Sequence, residues 1–204
     1  MQKKIIYFLL IATIVLSSAL AYKIKQTTSY DPETYAQVYE EFNKITNLNS
    51  TSDTDFSPVI SKKTTYVSRT FSDRPPKTIA AIHIPKINIS YPIINDYSEK
   101  NLNIAPTKFI GPEPNNIGNF VIAGHNNWNK DFFSNLHKLD KGDSVELTDT
   151  NGKKLIYKVY DIFEVEQDDF SCLNQETDGK IELTLITCIK HQKNKRLIVK
   201  CTAI

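Results

Sequence analysis

From residue 78 to the C-terminus, short runs of β-branched and aromatic residues alternate with turn residues, and this pattern leaves few folds open. It predicts strands over residues 79–84, 87–94, 119–123, 144–148, 155–165, 181–188 and 196–203. Between them stand Gly111-Pro112, Lys141-Gly142-Asp143, Asn151-Gly152 and Asp178-Gly179, and the Asn-Gly pair marks a tight hairpin. One helix interrupts the series, over residues 131–138, where Phe132, Phe133 and Leu136 make an apolar face. So many strands with so few helices exclude a doubly wound parallel sheet. They imply a mainly β domain, closed or nearly closed into an antiparallel-rich barrel with one or two short helices.

The N-terminal part has a different composition. After Lys3 and Lys4, residues 5–22 carry no charge. As a helix at ~1.5 Å per residue this run spans about 27 Å, close to the thickness of a bilayer core. It is read as a membrane anchor with a cytoplasmic N-terminus, although Lys23 and Lys25 weaken the charge asymmetry. The competing reading is a cleaved signal, because Ala19-Leu20-Ala21 has the small-x-small pattern of a signal peptidase site. Either reading places the rest of the chain across the membrane. Asp31-Pro32-Glu33 then opens a short helix with apolar Tyr35, Val38, Tyr39, Phe42 and Ile45, a stripe fit for its own domain, a membrane or a partner. Residues 46–77 are rich in Ser, Thr, Asn and Asp and form a spacer. The expected organisation is an anchor or signal over 1–25, an extracytoplasmic helix and spacer over 26–77, and a barrel over 78–204.

Net charge is +2, from 25 Lys and Arg against 23 Asp and Glu, which argues against a nucleic-acid partner. The three cysteines, Cys172, Cys188 and Cys201, are too few for a disulfide scaffold, and an odd number leaves one thiol unpaired within the chain. In the strand over 181–188, Ile181, Leu183, Leu185 and Thr187 share one face, while Glu182, Thr184, Ile186 and Cys188 share the more polar one. In the last strand Arg196, Ile198 and Lys200 oppose Leu197, Val199 and Cys201, so Cys201 reads as core. Cys172 lies in a polar loop with no base near it in sequence. The apolar strand 120–123 stops at Gly124 and presents His125, whose imidazole titrates near neutral pH and can trade protons with an amine. His83, His137 and His191 have no stronger case.

The segment Thr184-Leu185-Ile186-Thr187-Cys188, with Arg196 eight positions later and Gly124-His125 some sixty residues earlier, closely resembles the sortases. Ile84-Pro85-Lys86-Ile87 looks like the family's early strand pair, and the resemblance covers residues 78–204. It implies an eight-stranded sortase-type barrel and a cysteine transpeptidase in which Cys188 is the nucleophile and His125 the general acid and base. Arg196 would orient substrate and steady the oxyanion. The implied substrates are surface proteins with a C-terminal Leu-Pro-x-Thr-Gly-like sorting signal, cut after the threonine. The acyl group would pass to a peptidoglycan precursor or another amine, on the outer side of the cell membrane. The short stretch 166–180 tells against class B, and the absence of a lid pattern and of an apolar run after Arg196 tells against class C, so class A or class D is expected.

No cofactor and no required metal are expected. The resemblance raises a calcium site between acidic loops, as in some class A members; Glu164, Glu166, Asp168 and Asp169 are acidic, but residues 104–116 offer only Glu113 to complete one. Three other functions compete: a hydrolytic cysteine peptidase on the same Cys188 and His125, a zinc-stabilised module on Cys188 and His191, and a non-catalytic β-barrel wall-binding module.

Overall fold

A computed structural model describes residues 32–47, 76–126 and 132–204. The expected anchor, most of the spacer and Asp131 at the start of the expected helix lie outside the described residues. Among the described residues no helix is long and apolar enough to cross a membrane.

Eight strands close into a barrel. They are β1 (Thr78–Ile84), β2 (Ile89–Ile94), β3 (Thr107–Ile110), β4 (Gly118–Ala123), β5 (Ser144–Asp149), β6 (Lys154–Glu166), β7 (Ile181–Ile189) and β8 (Gln192–Ala203). Around the barrel the order is β1-β2-β3-β4-β7-β8-β6-β5, with β5 returning to β1. Only β2–β3 and β4–β7 are parallel. The inward faces supply one core, in which Ile82, Ile93, Phe120, Ile122, Leu147 and Leu185 are all fully buried. Closure leaves no open edge for another strand to add to.

The mainly β reading holds, and three local expectations change. The strand expected from residue 87 starts two residues later. Pro85–Ile87 forms a 3-10 turn and Asn88 takes a left-handed conformation at φ 50°, which resets the chain before β2. The run over 131–138 is no α-helix in its described part: Phe132 bridges to Asn126 with φ 52°, and only Leu136–Lys138 makes a single 3-10 turn. Strand β3 was not foreseen. The Asn151-Gly152 hairpin forms as expected between β5 and β6, with Gly152 at φ 82°.

Helix α1 (Pro32–Asn47) settles where its stripe rests. Val38 packs with Ile94, Ile104 and Ala105, while Phe42 and Ile45 pack with Ala81, so the barrel itself covers them. The contact is also polar. Thr78 donates its N–H to Glu41 Oε2 at 2.8 Å and its hydroxyl to the Val38 carbonyl at 2.9 Å.

At the opposite end of β4 from the strand's C-terminus, fully buried Asn115 acts as a polar pin. Its Nδ2 donates to the carbonyls of Leu147 at 3.2 Å and Lys153 at 2.7 Å, and its Oδ1 accepts from Tyr157 Oη at 2.9 Å. Asn115→Ala removes all three bonds, leaves buried groups unpaired and places alanine at φ 63°. Chemical denaturation is expected to show a loss of about 2–4 kcal/mol. A loss below about 1 kcal/mol would show that water takes over these groups.

Candidate functional site

Parallel pairing of β4 with β7 sets the geometry. Ala123 lies opposite Ile186, and the Gly124 N–H reaches the Ile186 carbonyl at 3.0 Å, so both strands end at the same rim. Continuing that register by two residues brings His125 level with Cys188. Strand β8 runs back along β7 with Arg196 as the direct partner of Cys188. Opposed residues of an antiparallel pair hold their Cβ atoms ~4.5–5.5 Å apart on one face. The three residues expected from the sequence are thus carried by three neighbouring strands at one end of the barrel.

Hydrogen bonds lock this rim. Buried Thr187 donates its hydroxyl to the Gly124 carbonyl at 2.8 Å, tying the residue before Cys188 to the residue before His125. Asn126 Nδ2 donates to the Cys188 carbonyl at 2.8 Å, and the Phe133 N–H to the His125 carbonyl at 3.0 Å. Gly124 is required here for space. A Cβ at this position would sit 2.6 Å from the buried Phe133 ring. Gly124→Ala must therefore push that ring or the imidazole-bearing turn aside, and displacements of about 1 Å at a catalytic group cost on the order of 100-fold. The rate of any reaction that this imidazole serves is expected to fall by about 10- to 100-fold. An unchanged rate would mean that Phe133 alone absorbs the methyl.

The imidazole is partly buried. His125 Nε2 donates to Asn103 Oδ1 at 3.1 Å. Burial holds the His125 pKa below the ordinary histidine value, with the nearby Glu99 carboxylate pulling it partly back. At neutral pH the ring is a base able to take a proton. Asn103 has no sequence signal of its own: it lies 22 residues before His125, in the turn after the short helix α2 (Glu99–Leu102).

Cys188 is the exposed thiol, whereas Cys172 and Cys201 are buried. Burial pushes both of the other thiols up, that of Cys201 strongly, which keeps them protonated and inert. The structure thus separates one accessible cysteine from two packing ones. Arg196 is half-buried and donates Nη1–H to the Lys195 carbonyl at 3.0 Å. Tyr97 also stands at this rim. Its phenol is pushed up by burial and then by Glu99 and Cys188, and pulled back by Arg196. It meets Phe109 edge-to-face at 4.8 Å, and the two rings are 52% and 36% exposed, an apolar wall that the sequence did not announce.

One expectation about β7 needs correction. Thr184 was placed on a polar face, yet it is fully buried. It donates to Asn119 Oδ1 at 2.7 Å, and Asn119 Nδ2 donates to the carbonyls of Cys172 and Asn174 at 3.0 Å each. The turn around Ser171–Leu173 therefore folds over the outer face of β4 and β7 and is fastened there. Beyond Cys188, on the other side, Asn126, Glu166, Lys190, His191, Gln192, Asn194 and Lys195 line a cleft of about 680 Å³.

A family model described as the Sortase domain matches residues 82–204. Sortase A of Bacillus anthracis is 34% identical over 125 residues, which are 60% of this chain and 58% of that protein; the chain therefore spans little more than half of that relative's length. Among solved structures, the Clostridium perfringens Sortase D5 transpeptidase superposes with a TM-score of 0.57 at 25% identity, covering 90% of this chain and 94% of that one. Clostridium perfringens sortase C, solved with the C-terminal cell wall sorting motif, gives the same TM-score and identity over 93% of this chain and 98% of that one.

Proposed function

Because the chain belongs to the sortase family, we propose that it is a cysteine transpeptidase that cuts a C-terminal sorting signal and transfers the acyl part to an amine. The observation that carries this reading is the placement of His125 just past β4, of Cys188 near the end of β7 and of Arg196 opposite it on β8. A thiol, an imidazole and a guanidinium carried on neighbouring strands match the needs of acyl transfer through a thioester.

The cycle balances as follows. The Cys188 thiol gives its proton to His125, and the sulfur adds to the carbonyl carbon of the scissile peptide bond. Negative charge gathers on the carbonyl oxygen, where a charged donor such as Arg196 stabilises it; one such donor contributes on the order of 100- to 1000-fold in rate. The C–N bond then breaks, the leaving amine takes the proton from His125, and a thioester remains on Cys188. An incoming amine attacks that thioester, loses a proton to His125 and releases the sulfur, which recovers its proton. His125 acts as acid and base in turn, and its lowered pKa suits the accepting steps.

The signal is proposed to be Leu-Pro-x-Thr-Gly-like and cut after threonine, with the acyl side lying across the ends of β4 and β7 at Cys188. A peptidoglycan precursor or a similar amine is proposed to enter from the side of the Lys190–Lys195 cleft. The uncharged run over 5–22 supports a membrane-held enzyme with its barrel outside the cell. The test is mass spectrometry of the full chain in detergent micelles with a Leu-Pro-x-Thr-Gly peptide panel and candidate amines. A branched transfer product is expected. Release of free acid alone, with every amine tried, would overturn transfer in favour of hydrolysis.

A further inference from the structure

Helix α1 reaches the site through one short path. Val38, fully buried on that helix, packs against Ile104 and Ala105, the two residues that follow Asn103. The turn they belong to is stiff. Ile104 and Ala105 both donate N–H to the Asn101 carbonyl, at 2.9 and 3.0 Å, and Ile94 donates to the Pro106 carbonyl at 3.0 Å. Asn103 is therefore held from both sides, and its Oδ1 accepts a hydrogen bond from the Nε2–H of His125. At the other end of α1, Phe42 and Ile45 pack on Ala81, away from this turn.

We infer that α1 is a positioning element for the imidazole: Val38 seats the turn of residues 101–105 so that Asn103 fixes the orientation and tautomer of His125. The inference rests on the acid–base role proposed for His125. With Nε2 committed to Asn103, Nδ1 is the nitrogen that exchanges the proton with Cys188 and the amines. Loosening the turn lets the ring rotate and lose that commitment. A helix that links the N-terminal segment to the barrel thereby bears on catalysis, and its docking is a point at which the anchored end of the chain can act on the site.

Cys188 and Arg196 share the rim with His125, on β7 and β8, and are left unchanged in every variant below. Glu99 on α2 is the carboxylate that acts on the ring, and Asn103 is its neutral acceptor. The full chain in detergent micelles, with labelled histidine, gives the His125 pKa by NMR beside the transfer rate. Asn103→Asp puts an anion at the acceptor position and is expected to raise the His125 pKa by about 1–2 units. Asn103→Ala removes the acceptor and is expected to lower it. Val38→Ala, or Val38→Thr should the alanine variant not fold, is expected to shift the pKa in the direction of Asn103→Ala and to add little on top of it. Ile45→Ala on the same helix is expected to lower the melting temperature and leave the His125 pKa unchanged.

Two results would overturn the inference: Val38 and Ile45 variants that move the pKa equally, or Val38 variants that leave it untouched. The titration does not depend on turnover. A shifted pKa in a chain that transfers nothing would remove the transpeptidase reading and keep the coupling, and an unmoved pKa in an active chain would do the reverse.

Discussion

Cys188→Ala will fold like the parent and form neither thioester nor transfer product. The side chain is exposed at the end of β7, so its loss opens no cavity, and a stability change within ~0.5 kcal/mol is expected. The chemistry, in contrast, has no substitute. The other two thiols are buried and held protonated, Cys172 within the turn after β6 and Cys201 inside the barrel opposite Leu183. Residual turnover is expected to lie at least ~1000-fold below the parent, the usual scale for removing a nucleophile. Two measurements check this. Mass spectrometry should show an acyl adduct on the parent and none on the variant. Iodoacetamide should modify one cysteine in the native parent, none in the native variant and two in the denatured variant. A variant that still ligates peptide to amine would end the proposal.

Much of this site was legible because its chemistry sits at strand ends, and strand ends are marked by breaks in alternation. Apolar residues stop at Gly124-His125, and the polar face of the Cys188 strand emerges at its exit, so spacing alone could set both groups at a rim. The parts that stayed hidden depend on contacts across long stretches of sequence. Strand β3 escaped because Phe109 and Ile110 are both exposed, at 36% and 44%, which destroys the two-residue period by which a strand is read. The stretch after residue 131 looked helical because Phe132, Phe133 and Leu136 have helical spacing. Their spacing serves other ends: Phe132 lies tilted on Tyr91 at 5.2 Å, while Phe133 closes over Gly124. Thr184 read as polar surface because nothing near it in sequence tells that residues 171–174 fold back onto it. Asn103 has the same character. Its role exists only once α2, the turn and β4 have met, and a lone asparagine carries no sequence signal for that.

Arg196→Ala is expected to lower transfer by about 100- to 1000-fold, the range for removing one oxyanion donor. Two mechanisms could give such a loss, and they separate experimentally. A guanidinium beside Cys188 can act on the free enzyme by favouring the thiolate, or on the transition state by donating to the carbonyl oxygen. In the first case the pH profile of iodoacetamide modification moves to higher pH in the variant by about as much as transfer is lost. In the second, alkylation is nearly unchanged while transfer collapses. The cross-strand placement favours the second. Arg196 rises from β8 directly opposite Cys188, and its half-buried guanidinium donates to the Lys195 carbonyl, which holds it as a fixed donor. Arg196→Lys tests the shape of the donor as distinct from its charge. A lysine keeps the cation but loses the planar fork, so it is expected to restore only part of the parent rate. Recovery by lysine to the parent rate would assign Arg196 to charge alone, and an alanine variant within about 10-fold of the parent would remove it from the transition state altogether.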